Sequence, residues 1–230
     1  MFDQTLLETL DGLEIPEQIK LLADSFPDQV AFSTSFGQED QVITDIIARN
    51  DLAVRTFTLD TGRLFNETYE LIDITRARYR LDLEVYYPDT MRVEELTRTK
   101  GFTSFYESVE NRKECCTIRK VEPLNRALKG VTVWITGLRA EQSDNRAGMS
   151  ILEWDSSRGL YKFNPLIHWT YAQVLDHLKA HDVPCNSLHD KGFFSIGCAP
   201  CTRAIQPGED ARAGRWWWET SKKECGLHQG

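Results

Sequence analysis

Short apolar runs alternate with amphipathic stretches over most of the first 150 residues of the chain. Runs at 29–33, 53–59, 83–87 and 131–136 have strand length and β-branched or aromatic content, and helical spacing governs 40–48, 66–79 and 120–128. Strand and helix taking turns in this way predict parallel crossovers and an α/β fold: an open, mostly parallel twisted sheet flanked by helices. Ahead of it, 5–26 is amphipathic and broken by Gly12 and Pro16, which predicts one or two helices packed on the body. Beyond about Met149 the alternation weakens. Residues 161–166 then suggest a strand, Thr170 suggests the cap of a helix over 171–180, and the following stretch is loop-rich with Pro184, Gly192, Gly197 and Pro200.

Composition narrows the class. At 230 residues and 41% hydrophobic content the chain buries a substantial core, and no internal repeat or low-complexity linker divides it. One folding unit over 1–230 with a mobile C-terminal arm is expected. No run approaches a membrane span and no charged n-region with an apolar stretch opens the chain, so a soluble cytoplasmic protein is expected. The net charge of -8 argues against nonspecific binding to nucleic acid or acidic membranes.

Four of the six cysteines form two tight pairs, Cys115-Cys116 and Cys198-Ala199-Pro200-Cys201. Neighbouring cysteines bond poorly across one peptide, whereas two such clamps brought together surround one thiophilic centre, so metal ligation is favoured over a disulfide. Four thiolates suit zinc or an iron-sulfur cluster. Adjacent residues on a helix project about 100° apart, which leans toward the corners of a 4Fe-4S cluster. Arg112, Lys113, Arg119 and Lys120 flank the first pair; a solvated helix face is the plainer account of Arg112 and Lys113. Cys185 is expected as a small buried apolar residue, and His189 as an ordinary loop histidine or a hydrogen-bonding neighbour of the cluster.

Three polar loops follow apolar strands. The first, 33–40, carries Ser33, Ser35, Gly37 and Asp40 and opens a helix, where backbone amides and hydroxyls cradle an anion. It lacks the Lys-Ser/Thr ending of a Walker loop. The second carries Asp60, Thr61 and Arg63, and the third carries Arg139 and Arg146. Convergence of the three at one sheet edge predicts an anionic-nucleotide site. Arg212 and Arg215 add cations near the C-terminus, next to Trp216-Trp217-Trp218, which is read as a hinge or anchor with at least one ring packed on the body.

From about residue 29 to the C-terminus these motifs, with Glu-Cys-Gly-Leu-His at 224–228, resemble the assimilatory adenylyl-sulfate (APS) reductases of the phosphoadenylyl-sulfate (PAPS) and APS reductase family, within the adenine nucleotide α-hydrolase superfamily. With the amphipathic helical segment over 1–28 ahead of it, the resemblance implies a nucleotide- and cluster-binding core over 29–206 and a reactive tail over 207–230. It implies a 4Fe-4S cluster on Cys115, Cys116, Cys198 and Cys201, with adenylyl sulfate as substrate. Cys225 becomes the nucleophile that forms an S-sulfonate, and thioredoxin the electron donor. Lys222 and Lys223 stand close to Cys225 and favour its thiolate. Substrate contacts are expected from the three loops together with Lys120, Arg139, Arg146, Arg212 and Arg215. Reduction of PAPS or of both nucleotides, a nucleotide-binding iron-sulfur sensor, and a zinc-bound adenylating or thiolating enzyme of the same superfamily are the competing readings. Oligomeric state stays open.

Overall fold

The computed structural model describes residues 9, 10, 12–142, 146 and 148–219. Helix α1 (Ile15–Ser25) starts in a reciprocal capping box between Glu14 and Glu17 and buries Ile19, Leu22 and Ala23. Strand β1 (Val30–Ser33), α2 (Gln38–Arg49), β2 (Arg55–Leu59), α3 (Asn66–Tyr79) and β3 (Leu83–Tyr86) follow in the expected alternation. After α4 (Thr90–Lys100) a helix runs without interruption from α5 (Val109–Cys116) through a widened π-helical turn (Thr117–Val121) into α6 (Glu122–Ala127). Strand β4 (Val133–Ile135), the hairpin β5 (Leu152–Asp155) and β6 (Leu160–Phe163), and α7 (Tyr171–Ala180) complete the body.

The six strands lie in the order β3-β2-β1-β4-β6-β5. All neighbours are parallel except β5 and β6. Chain order therefore reverses between β1 and β4, and the crevice beyond their carboxyl ends is where an open α/β sheet binds ligands. Alternate residues of the central strands feed opposite cores. Val30, Phe32, Val133 and Ile135 pack with α1, α2 and α7 residues such as Leu22, Ile43 and Val174, whereas Ala31 and Trp134 pack with Phe57 and Leu124.

Helix α3 has the predicted bounds, and α7 matches both its predicted span and its Thr170 cap, whose hydroxyl accepts from the Gln173 amide. The hairpin strand β5 was not predicted. It is four residues long with Trp154 exposed on its outer face, too little to register as alternation. Behind the sheet, Asp45 on α2 accepts from Tyr79 and His177 at 2.9 Å each and pairs with Arg49. Together with His181 this is the one trio of His, Cys, Asp or Glu ligand atoms among the described residues that lies within 4.8 Å. Its carboxylate is already filled by the protein's own donors, and it ties α2 to α3 and α7. No helix among the described residues is long and apolar enough to cross a membrane.

Candidate active site

The loop leaving β1 is held by its own polar atoms. Ser35 donates to Asp40 Oδ2 from its amide and its hydroxyl, at 2.6 and 2.7 Å. Phe36, buried and with φ of 60°, takes a left-handed conformation rare for a bulky residue. Its amide donates to Thr34 Oγ1. Gly37 is the N-cap of α2 and offers no capping side chain, so the positive end of the helix is left at the cleft. Asp40 packs so tightly on the loop after β4 that a Cβ on Gly137 would lie 2.2 Å from its Oδ1. Only glycine fits there. Burial pushes the Asp40 carboxyl up to about 6, against the two bonds from Ser35, and the Glu39 charge adds to the rise.

A cleft of about 250 Å3 opens at this switch point. It is walled by Ser33, Ser35, Gly37 and Asp40, by Thr61, by Thr136 and Gly137, and by Ser195 to Cys198. Four cations from three segments line it: Lys120, Arg146, and Arg212 with Arg215. Trp134 also lines it, its indole donating to Ser33 Oγ at 2.8 Å. Arg215 reaches the cleft over Gly197, where an added Cβ would come within 2.4 Å of its Nη2. Its guanidinium approaches Ser195 Oγ and the Ile196 carbonyl and lies 4.9 Å over the Trp216 ring.

Three of the expected substrate contacts sit elsewhere. Asp60 accepts from the Gly62 amide at 2.7 Å and the Tyr69 hydroxyl at 2.9 Å, shaping the turn after β2 instead of lining the cleft. Arg63 donates to the Phe102 carbonyl and lies over the Phe105 ring, facing the cysteines. Arg139 is clamped by Glu39 at 2.9 Å and Glu141 at 3.0 Å. Because Glu39 lines the cleft, Arg139 acts on its wall through a neighbour.

A second cavity adjoins the first. Cys115, Cys116, Cys198 and Cys201 all line it, with Arg63, Arg112, Arg119 and Lys120 among its walls. Lys120 and Cys198 line both cavities. Burial pushes the Cys115 thiol up, opposed by Arg63 and Arg119. Burial, reinforced by Cys198, pushes Cys201 up to about 12. Burial also opposes ionisation of Cys198, but Lys120, the Thr61 hydroxyl, Arg215 and Arg63 outweigh it and hold that thiol below its ordinary value. No three of these sulfurs come within 4.8 Å of one another. Soft donors ringed by fixed cations suit an anionic metal-sulfur group better than a hard cation.

Arg112 and Arg119 lie deeper than their positions in a charged stretch suggest. Arg119 is buried in the widened turn and donates to the Thr61 carbonyl at 2.7 Å, while its Nε has no protein partner. Arg112 is buried too, donating from Nε and Nη2 to the two oxygens of Glu219 at 2.9 Å each. Lys113 alone is the exposed residue expected of a solvated face. Cys185 is exposed, since Val183 and Asn186 take the inward positions of that loop. His189 has Nδ1 2.8 Å from the Phe193 carbonyl, so Nδ1 carries the proton and the ring braces the loop before Ser195. Cys225, Lys222 and Lys223 lie outside the described residues.

Residues 29–204 match the family model described as the phosphoadenosine phosphosulfate reductase domain. An adenosine 5'-phosphosulfate reductase from Allochromatium vinosum is 52% identical over 203 residues, covering 88% of this chain and 79% of its own. One from Sinorhizobium fredii is 48% identical over 226 residues, covering 98% and 90%. Among solved structures, a phosphoadenylyl-sulfate (PAPS) reductase from Candida auris in a phosphate complex superposes with a TM-score of 0.74. It is 31% identical and covers 89% of this chain and 98% of its own.

Proposed function

The chain belongs to the phosphoadenosine phosphosulfate reductase domain family, and from that footing we propose that it reduces adenylyl sulfate to sulfite and AMP for sulfate assimilation. The observation that carries this reading is the shared wall: a cationic cleft at the sheet's switch point and a four-thiol cavity meet at Lys120 and Cys198. Relatives near 50% identity are named for adenosine 5'-phosphosulfate, whereas the solved PAPS reductase is 31% identical, which favours the substrate without the extra phosphate.

Cys115, Cys116, Cys198 and Cys201 are the residues that would hold a 4Fe-4S cluster. Sulfurs around one tetrahedral zinc lie roughly 3.8 Å apart, given Zn–S bonds of about 2.3 Å. Four thiols lining one cavity with Arg63, Arg112, Arg119 and Lys120 support a larger anionic group instead. When bound, that group supplies a compact fixed charge that ties the cysteine helix to the Cys-x-x-Cys loop. Arg63, Arg112, Arg119 and Lys120 face it, and Lys120 faces the substrate as well.

The phosphosulfate lies in the cleft with the Ser33-to-Asp40 loop and the α2 N-terminus at its phosphate, and Lys120, Arg146, Arg212 and Arg215 around its sulfate oxygens. The Cys225 thiolate attacks sulfur. Its S–S bond forms as the sulfur–oxygen bond to AMP breaks, AMP keeps the electron pair, and Cys225 carries the S-sulfonate. The fixed cations offset the charge that builds up as two anions approach. A thiol of an external dithiol, thioredoxin, attacks the Cys225 sulfur and releases sulfite, and its second thiol resolves the mixed disulfide. Such thiol chemistry suits a reducing cytoplasm. Sulfite release measured side by side from APS and PAPS, with thioredoxin, tests the reading. It predicts faster release from APS; equal rates make the enzyme dual-specific, and no sulfite from either sinks the assignment.

A further inference from the structure

One guanidinium touches both parts of the proposed machinery. Arg112, on the first turn of α5, lines the four-thiol cavity beside Cys116, lies 4.6 Å over the Trp216 ring and forms the two-bond pair with Glu219. Both side chains of that pair are 4% exposed. Planar two-bond pairing of this kind fixes direction as well as distance. Around it the start of the tail is fastened again: the Trp216 amide donates to the Cys201 carbonyl at 3.2 Å. Trp218 packs edge-on against Tyr106 at 4.5 Å, and the Tyr106 hydroxyl donates to the Pro200 carbonyl. The stretch 216–219 is thus tied through Arg112 to the helix that carries Cys115 and Cys116 on one side of the four-thiol cavity and to the Cys-x-x-Cys turn on the other.

Glu219 stands six positions before Cys225. A chain of that length spans at most about 20 Å. Where its root is fixed therefore bounds which positions are within reach of the thiol, and its effective concentration at the sulfate falls steeply once the root shifts beyond that reach. A surface pair would contribute little to such anchoring, but removing one partner of a buried pair leaves the other charge uncompensated and forces the local structure to rearrange.

On the premise that Cys225 is the nucleophile, we propose that the Arg112–Glu219 pair is a latch, with Glu219 a positioning residue that roots the reactive tail on the cysteine-bearing helix. It makes delivery of the thiol depend on the integrity of the four-thiol site through Arg112, with no contact between Glu219 and the substrate. The cluster-loaded full-length protein, Glu219→Ala and Glu219→Gln are mixed with APS without any reductant, quenched at intervals, and the sulfonate on Cys225 is followed by mass spectrometry of the peptide. Adduct formation at saturating APS is expected to slow by about tenfold or more in Glu219→Ala and by less in Glu219→Gln. The half-saturating APS concentration and the iron content are expected to stay at wild-type values. Should Glu219→Ala not fold, Glu219→Gln keeps the volume and an acceptor and carries the same criterion. Wild-type adduct rates in the variants overturn the latch, as does loss of iron in parallel with rate, which would make the pair a support of the helix alone. No adduct on Cys225 in the wild-type protein removes the nucleophile reading and the latch with it.

Discussion

Asp40 shows how much one side chain does in this cleft. It closes the Ser35 loop with two hydrogen bonds and sits against Gly137, so the loops after β1 and β4 are locked together through a single carboxyl. Its carboxyl is raised by burial from 3.8 to about 6. The neutral form is therefore the one folding favours: its stabilisation is complete below the unfolded value and is lost as pH rises through about 6, a swing of ~3 kcal/mol at most. Asp40→Asn removes that titration. Urea denaturation should show the wild type losing stability between about pH 4 and pH 7 relative to Asp40→Asn; parallel profiles would mean that Asp40 is charged throughout. In the sequence Asp40 was visible as a polar residue in a Ser/Gly loop, but its role as the lock depends on Gly137, almost a hundred residues away. Arg112 was equally hidden, because nothing in a charged stretch marks the one residue whose partner lies 107 positions on.

At the scale of elements, legibility followed the strength of the local pattern. The helix over Asn66–Tyr79 was legible as the stretch between two strand-like runs, and that over Tyr171–Ala180 because a capping box marks its start. Helix α4 went unpredicted because it buries only Leu96, so tertiary placement and the Asp89 cap hold it more than any apolar face does. The widened turn over Thr117–Val121 leaves no signature in composition, yet it changes the phase of the helix so that Arg119 meets the Thr61 carbonyl while Lys120 reaches both cavities. The Cys-x-x-Cys loop has a similar geometric demand, since Arg215 enters the cleft only because Gly197 has no side chain. Gly197→Ala should raise KM for APS by roughly tenfold with a smaller effect on kcat, the pattern of a displaced anion contact. Unchanged KM would show that Arg215 does not hold the sulfate.

For the whole molecule, the strand alternation predicted the sheet, and the reversal of chain order between β1 and β4 puts every polar loop at one edge. The four cysteines come from two distant segments that this topology brings to one cavity beside the cleft. Elemental analysis of anaerobically purified protein should find about four irons per chain and no stoichiometric zinc; one zinc and no iron would return the site to a mononuclear reading. The central claim, one nucleophilic thiol per chain that displaces AMP from sulfate, is tested most directly by AMP release from APS with no reductant present. One equivalent of AMP per chain from the wild type and none from Cys225→Ser is the result predicted. Continuous AMP release without reductant, or a full equivalent from Cys225→Ser, would contradict it.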